Sequence, residues 1–247
     1  MEVKFLSQGE SGLVVELGNM IDSNVNSKVH ELAKIIEREM KDSIQEVVPT
    51  YRSLMIHFNP LTASRHEVSS KIKSLLPQLE NSEEVVTDHN IITIPTCYGG
   101  ELGPDMDFVA SHNKLSQQEV IEIHTSVAYR VYMIGFTPAF PYLGGMSPRI
   151  ATPRLEKPRT KISAGSVGIA GAQTGFYTME SPGGWQLIGR TPIKAFNPEK
   201  ENPFLFAAGD FLQFRAVSLK EYEQIEKAVL AGEYKADVQK KKAGDNS

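Results

Sequence analysis

The chain has 247 residues, a hydrophobic fraction of 40%, a charged fraction of 23% and a formal net charge of −4. That length suffices for one large or two modest domains with a real core, and the charge balance gives no global basic field to recruit nucleic acid. The lone Cys97 excludes an internal disulfide and a multi-cysteine metal site. No metal is expected, and with no apolar run near the ~20 residues of a membrane span and no signal-peptide pattern, a cytoplasmic chain free of the membrane is expected.

Residues 1–85 read as a small α+β domain. Val3–Ser7 and Leu13–Leu17 suit two short strands around a Gly9–Gly12 turn. Asp22 or Ser23 can cap a helix to about Lys41, because Val25, Val29, Leu32, Ala33, Ile36 and Met40 share one face of a 3.6-residue period. Ile44–Pro49 and Leu54–Phe58 follow as strands, then a helix over Ser64–Leu76 that Pro77 should end. The order ββαββα predicts a ferredoxin-like sheet with helices on one face. His30, His57 and His66 are scattered and suggest no site. The polar stretch at 81–89 is the expected domain boundary.

Residues 90–235 read as a β-rich domain, with 236–247 as a frayed polar tail. Ile91–Pro95 is a strand candidate and Cys97–Gly100 a turn. A short helix is expected over Asp105–Ser111, and Ser116 with Glu119 forms a capping box that starts a helix to His124. Ala128–Ile134 is the next strand. Val167–Ala170, Phe176–Met179 and Trp185–Ile188 are short strands between glycine turns, and Asp210–Val217 is the last strand. Ser218 then caps a closing helix to Leu230. Many short strands with glycine turns predict a closed or nearly closed barrel.

The stretch from Gly135 to Pro192 concentrates the chemistry. It holds ten of the 19 glycines, seven of the 14 prolines, the only tryptophan and four arginines. Such punctuation holds loops in one shape, and shaped loops with aromatics and arginines are where sites sit. Phe136, Phe140 and Tyr142 either form an apolar binding surface or plug the barrel mouth. Arg154 and Arg159 each follow a proline, and a guanidinium on a stiffened loop makes a good carboxylate clamp. Ala164–Gly171 is not a phosphate loop, because no Gly-Lys-Ser/Thr follows. Nor is it a nucleophile elbow, because Ala164 stands where that motif has glycine. Ser166 can instead offer its hydroxyl and backbone amide to a ligand, and amides near Gly165 and Ser166 can stabilise an oxyanion. Gln173 and Thr174 continue that polar edge. Trp185 lines a pocket or completes the core, with Arg190 just beyond it. His124, at a helix end, suits acid, base or hydrogen-bonding work, or only the helix dipole.

GFTPAFPYLGG, the two Pro-Arg pairs, AGSVGIAGAQTGFY and SPGGWQLIGRTP, with IPTCYGGELGPD, LSQQEVIEIHTS and YRVYMIGF upstream, resemble the allophanate-hydrolase subunit 1 family. The likeness is strong over 90–217 and looser before it. One departure is Ala139, where the family commonly has glycine. The family includes the B subunit of bacterial 5-oxoprolinase and a sporulation-kinase inhibitor, and is related to the carboxyltransferase C and D domains of urea carboxylase. The resemblance implies a cyclophilin-like β-barrel in the second half. It also implies work with a C subunit, as direct partner, and with an A subunit in ATP-dependent opening of 5-oxo-L-proline to L-glutamate. The chain would be inactive alone, with ATP used in the assembled complex and biotin not expected. By the same likeness His124, Arg154, Ser166 and Gln173 face a site shared with the C subunit. Phe136, Phe140, Tyr142, Arg159, Thr174, Trp185 and Arg190 are the candidates expected to bind substrate or partner. The alternative the family offers is inhibition of a sensor histidine kinase by binding its helical region. Prolyl isomerase activity does not follow from a shared fold.

Overall fold

The computed structural model describes residues 3–80, 89–135 and 137–241. The chain divides into two units at Thr87 and Asp88. The linker expected at 81–89 lies, apart from His89, outside the described residues.

In the first unit β1 (Lys4–Gln8) and β2 (Gly12–Glu16) form a hairpin. Helix α1 (Ser23–Glu39) starts at Asp22, whose carboxylate accepts from the N–H groups of Asn24 and Val25 and so satisfies two open donors of the first turn. Strands β3 (Ile44–Pro49) and β4 (Ser53–Phe58) pair next, and Ser64 with Glu67 closes a capping box on α2 (Arg65–Leu75). As expected, α2 ends before Pro77, with Leu76 as its cap, and Pro77 then opens a separate turn, α3 (Pro77–Glu80), since proline suits a first helical position whose N–H has no partner. The sheet order is β1-β2-β4-β3 with every neighbouring pair antiparallel. A βαββαβ chain gives the same order when it begins at its second strand. Leu54, Ile56 and Phe58 alternate onto the buried face and form one core with Val29, Leu32 and Ile36 of α1 and Val68 and Ile72 of α2.

The second unit is organised around β5 (His89–Tyr98). Helices α4 (Met106–His112) and α5 (Gln117–Thr125) follow, the latter with the expected capping box of Ser116 and Glu119. Then come β6 (Ala128–Ile134), β7 (Pro141–Gly144), β8 (Arg159–Ile162), β9 (Ser166–Ala170), β10 (Gln173–Phe176), β11 (Ser181–Gly183), β12 (Gln186–Arg190), β13 (Phe211–Ala216), α6 (Leu219–Leu230) and β14 (Val238–Lys241). The main sheet runs β10-β9-β12-β5-β13-β6-β7, and β14 also pairs with β5. The two ends of that order meet: the Pro141 carbonyl of β7 lies 3.2 Å from where a Cβ on Gly175 of β10 would stand. The result is a nearly closed barrel filled by Ile92, Ile94, Tyr129, Val131, Val167, Ile169, Phe176 and Phe214.

The aromatic-proline loop carries a short strand at the end of the sheet order, β7, which Pro141 can open because the first residue of an end strand needs no ladder donor. Two expectations need correction. The strand expected over Phe176–Met179 ends at Phe176; beyond it the Tyr177 amide still donates to the Ser166 carbonyl of β9 (2.9 Å), and the Thr178 hydroxyl donates to the Pro138 carbonyl (2.7 Å). The polar tail is not frayed over Val238–Lys241, which pairs antiparallel with His89–Ile92, anchored by Asp237 accepting from the Thr93 hydroxyl at 2.9 Å.

Candidate functional site

The residues after β6, β10 and β11 surround a cavity of about 400 Å³. Its walls are Phe140, Tyr142, Tyr177 and Trp185, with Phe140, Tyr177 and Trp185 packed edge to face and Tyr142 tilted against Phe140. The Phe140 ring lies 5.4 Å from Tyr142, 5.8 Å from Tyr177 and 5.8 Å from Trp185, and Tyr177 lies 6.0 Å from Trp185. Offset and tilted contacts of this kind suit the ring quadrupoles and fix each plane. The glycines around the cavity have a steric reason. A Cβ on Gly183 would collide with the Tyr177 hydroxyl, and one on Gly135 would sit 2.6 Å from Cε2 of Tyr142. Aromatic rings lie on bare backbone here, which is why glycine and aromatic density rise together in the sequence.

Arg154 is the charged residue among those lining the cavity, and it is exposed. Its guanidinium makes no hydrogen bond or ion pair among the described residues. Burial raises the Tyr177 phenol above its ordinary value, against the backbone N–H of Trp185 and the positive charges of Arg154 and Arg159, which pull it down. The phenol is therefore a neutral hydroxyl at pH 7.

Arg159 differs from Arg154. Its Nη2 lies 2.7 Å from the Asp105 carboxylate, and its Nη1 donates to the Trp185 carbonyl at 3.4 Å. The other Asp105 oxygen accepts from the Leu187 N–H at 2.6 Å, while the Asp105 N–H donates to the Leu187 carbonyl at 2.9 Å. Asp105 and Arg159 thus grip the backbone on both sides of Gln186 and hold Trp185 in the cavity wall. Arg159 is spent on this brace and is not a free clamp. Asp105 carries a role that sequence reasoning missed; its only signal was a place at the end of the IPTCYGGELGPD motif.

His124 is fully buried. Its Nδ1 is 2.7 Å from the Tyr98 hydroxyl, its Nε2 is 2.7 Å from Thr174 Oγ1, and Thr174 Oγ1 donates to the Gly168 carbonyl at 3.0 Å. Because the Thr174 proton goes to that carbonyl, Thr174 accepts from Nε2–H, and the Tyr98 hydroxyl donates to Nδ1. That assignment fixes the neutral tautomer. Burial holds the imidazole down to about 3 and pushes the Tyr98 phenol well above its ordinary value. This line of bonds ties β5, α5, β10 and β9 together inside the barrel. His124 and Thr174 do not line the aromatic cavity.

Ser166 is buried, and its amide donates to the Ser163 carbonyl at 3.2 Å. The Gly165 amide donates to the Tyr177 carbonyl at 2.6 Å. Both amides expected to face an oxyanion are therefore engaged within the fold. Gln173 opens β10 opposite Ala170. Arg190 donates to the Ala164 carbonyl at 2.9 Å, on the same turn as Gly165. Phe136 lies outside the described residues. Ala139 is buried with φ at +56, the left-handed region that glycine occupies without penalty and alanine at a cost of about 1–2 kcal/mol. Among the described residues no group of His, Cys, Asp or Glu is placed to hold a metal ion, and no helix is long and apolar enough to cross a membrane.

Comparison with known proteins extends this picture. The model of the carboxyltransferase domain, subdomains C and D, matches residues 3–206. The chain is 44% identical to the 5-oxoprolinase B subunit of Bacillus subtilis, covering 87% of this chain and 92% of that relative. It is 37% identical to the 5-oxoprolinase B subunit of Escherichia coli O157:H7, over 83% of this chain and 92% of the relative. Among solved structures, a conserved protein of Pyrococcus horikoshii is 48% identical, with a TM-score of 0.52, over 89% of this chain and 100% of that one. The urea amidolyase of Kluyveromyces lactis superposes with a TM-score of 0.83 over 97% of this chain but 16% of its own length, and at 23% identity shares the fold alone. With a match that takes in most of both units, the chain belongs to the family of the carboxyltransferase domain, subdomains C and D, the family of the 5-oxoprolinase B subunits and the allophanate hydrolase subunit 1-like proteins.

Proposed function

We propose that this chain is the B subunit of an ATP-dependent 5-oxoprolinase, which pairs directly with a C subunit, and with an A subunit opens 5-oxo-L-proline to L-glutamate. The observation that carries this reading is the 44% identity to the Bacillus subtilis B subunit over 92% of that protein. The second unit is read as a cyclophilin-like barrel, and the first as a circularly permuted ferredoxin-like sheet.

The site divides the work by residue type. A lactam is a stabilised amide, so opening it calls for activation of its carbonyl oxygen, and ATP supplies that by phosphorylation. The turns around Gly165 and Gly171 do not fit a triphosphate: the amides of Gly165, Ser166 and Gly171 donate to the carbonyls of Tyr177, Ser163 and Thr152, so no cradle of free N–H groups is left there. On this reading ATP binds away from these turns, at an interface or on a partner protein of the complex. On this chain Arg154 holds an anionic group of the substrate, the aromatic walls exclude water, and the Asp105–Arg159 brace keeps Trp185 in place. His124, neutral and bonded at both nitrogens, is a positioning residue for β9 and β10.

The test is reconstitution. The chain alone should release no glutamate from 5-oxo-L-proline, and the three proteins together with ATP should. A folded three-protein complex that turns over nothing overturns the proposal. Arg154→Ala should lower kcat/KM of the complex roughly 10–100-fold, the equivalent of one charge-assisted hydrogen bond of about 1.5–3 kcal/mol.

A further inference from the structure

We infer that the aromatic cavity is a binding site for a small cyclic carboxylate, and that this chain recognises it without any partner protein. The inference rests on the proposed 5-oxoprolinase reading for the identity of the probe and goes beyond it in placing substrate recognition on this chain alone.

Four observations point the same way. The walls are made of Phe140, Tyr142, Tyr177 and Trp185, whose planes are already fixed against one another and against glycine backbone. A ring entering such a slot orders few side chains, so little conformational entropy is lost. Among the described residues the charge lining the cavity is the Arg154 cation, with no carboxylate beside it, so the cavity favours an anion. Arg159, the other candidate clamp, is satisfied by Asp105, which leaves Arg154 as the candidate clamp without an ion pair among the described residues. Finally, Thr137 and Ser181 line the same cavity and their hydroxyls make no hydrogen bond among the described residues, so they are available to polar groups of a ring amide. A cavity of about 400 Å³ falls within the ordinary range of small-molecule sites.

Trp185 is the only tryptophan in the chain and it lines this cavity, so its emission reports directly on occupancy. The experiment titrates the isolated full chain with 5-oxo-L-proline and follows Trp185 fluorescence, with calorimetry as a second measurement. Saturable binding seen by both methods is expected. Arg154→Ala should weaken it roughly tenfold or more, and 2-pyrrolidinone, the same ring without the carboxylate, should bind at least as much more weakly. Arg154 is exposed, so the variant is expected to keep the wild-type melting curve. If the isolated chain shows no heat and no fluorescence change while the three-protein complex turns over, recognition lies elsewhere and the inference falls, although the functional reading stands. If Arg154→Ala binds as tightly as wild type, the inference falls as well. If the chain binds the probe but the folded complex releases no glutamate, the inference stands and the functional reading falls.

Discussion

Complete burial decides the protonation state of His124, and its two hydrogen bonds fix the tautomer. Its imidazole is held down to about 3, against an ordinary value of 6.5. Between these values the unfolded chain binds a proton that the folded chain refuses, so this residue makes stability fall as pH drops from about 6.5 toward 3. A His124→Gln variant should lose that part of the slope. Urea midpoints measured for both proteins from pH 7 to 4 should converge on acidification, and parallel curves would show that His124 does not titrate as its surroundings dictate. The arginines teach a related lesson about legibility. Arg154 and Arg159 look alike in sequence, each behind a proline on a glycine-rich stretch. They are told apart by Asp105, which is 54 residues from Arg159 in the chain and in contact with it in space. No local pattern carries that information. The Ala139 departure was legible as an oddity, and φ of +56 supplies its physical meaning.

Elements with caps and a clear period were legible to within a residue or two. Asp22, Ser64, Ser116 and Ser218 each start a helix where their side chains can accept from first-turn amides. The short strands β7, β8, β11 and β14 were not legible, because three or four residues give no alternation to read and their partners come from distant sequence. Of these β14 guards an edge of β5. It covers the N-terminal half of β5, on the edge where β12 covers only Cys97 and Tyr98. A chain cut before Asp237 would leave that edge of β5 with open N–H and C=O groups, an invitation to pair with another molecule. The truncated protein should melt lower than the full chain and show concentration-dependent association by light scattering. An unchanged melt and a monomeric profile would mean that β14 contributes nothing to the edge.

Each unit carries its own buried core. The first gathers Leu13, Val15, Leu32, Ile36, Ile56 and Phe58; the second gathers the barrel filling and a smaller cluster of Ile162, Ala170, Tyr177, Trp185 and Leu187. Expressed separately, the two halves divided at Thr87 and Asp88 should therefore each fold, with a single cooperative melt by circular dichroism. A half that shows no transition would depend on the other for its core. The halves should also differ in how fast they fold. In the first unit every hairpin joins neighbouring strands. In the second, the central β5 waits for partners from far along the chain: Ile91 pairs with Phe211, and His89 with Lys241. Loops that long must close before any contact rewards them. During synthesis the barrel therefore holds its first strand unpaired until its last strands have emerged, and the aromatic segment around Phe140 and Trp185 is made while that strand is still exposed. Of the two units, the barrel is the one whose newborn chain has most need of protection.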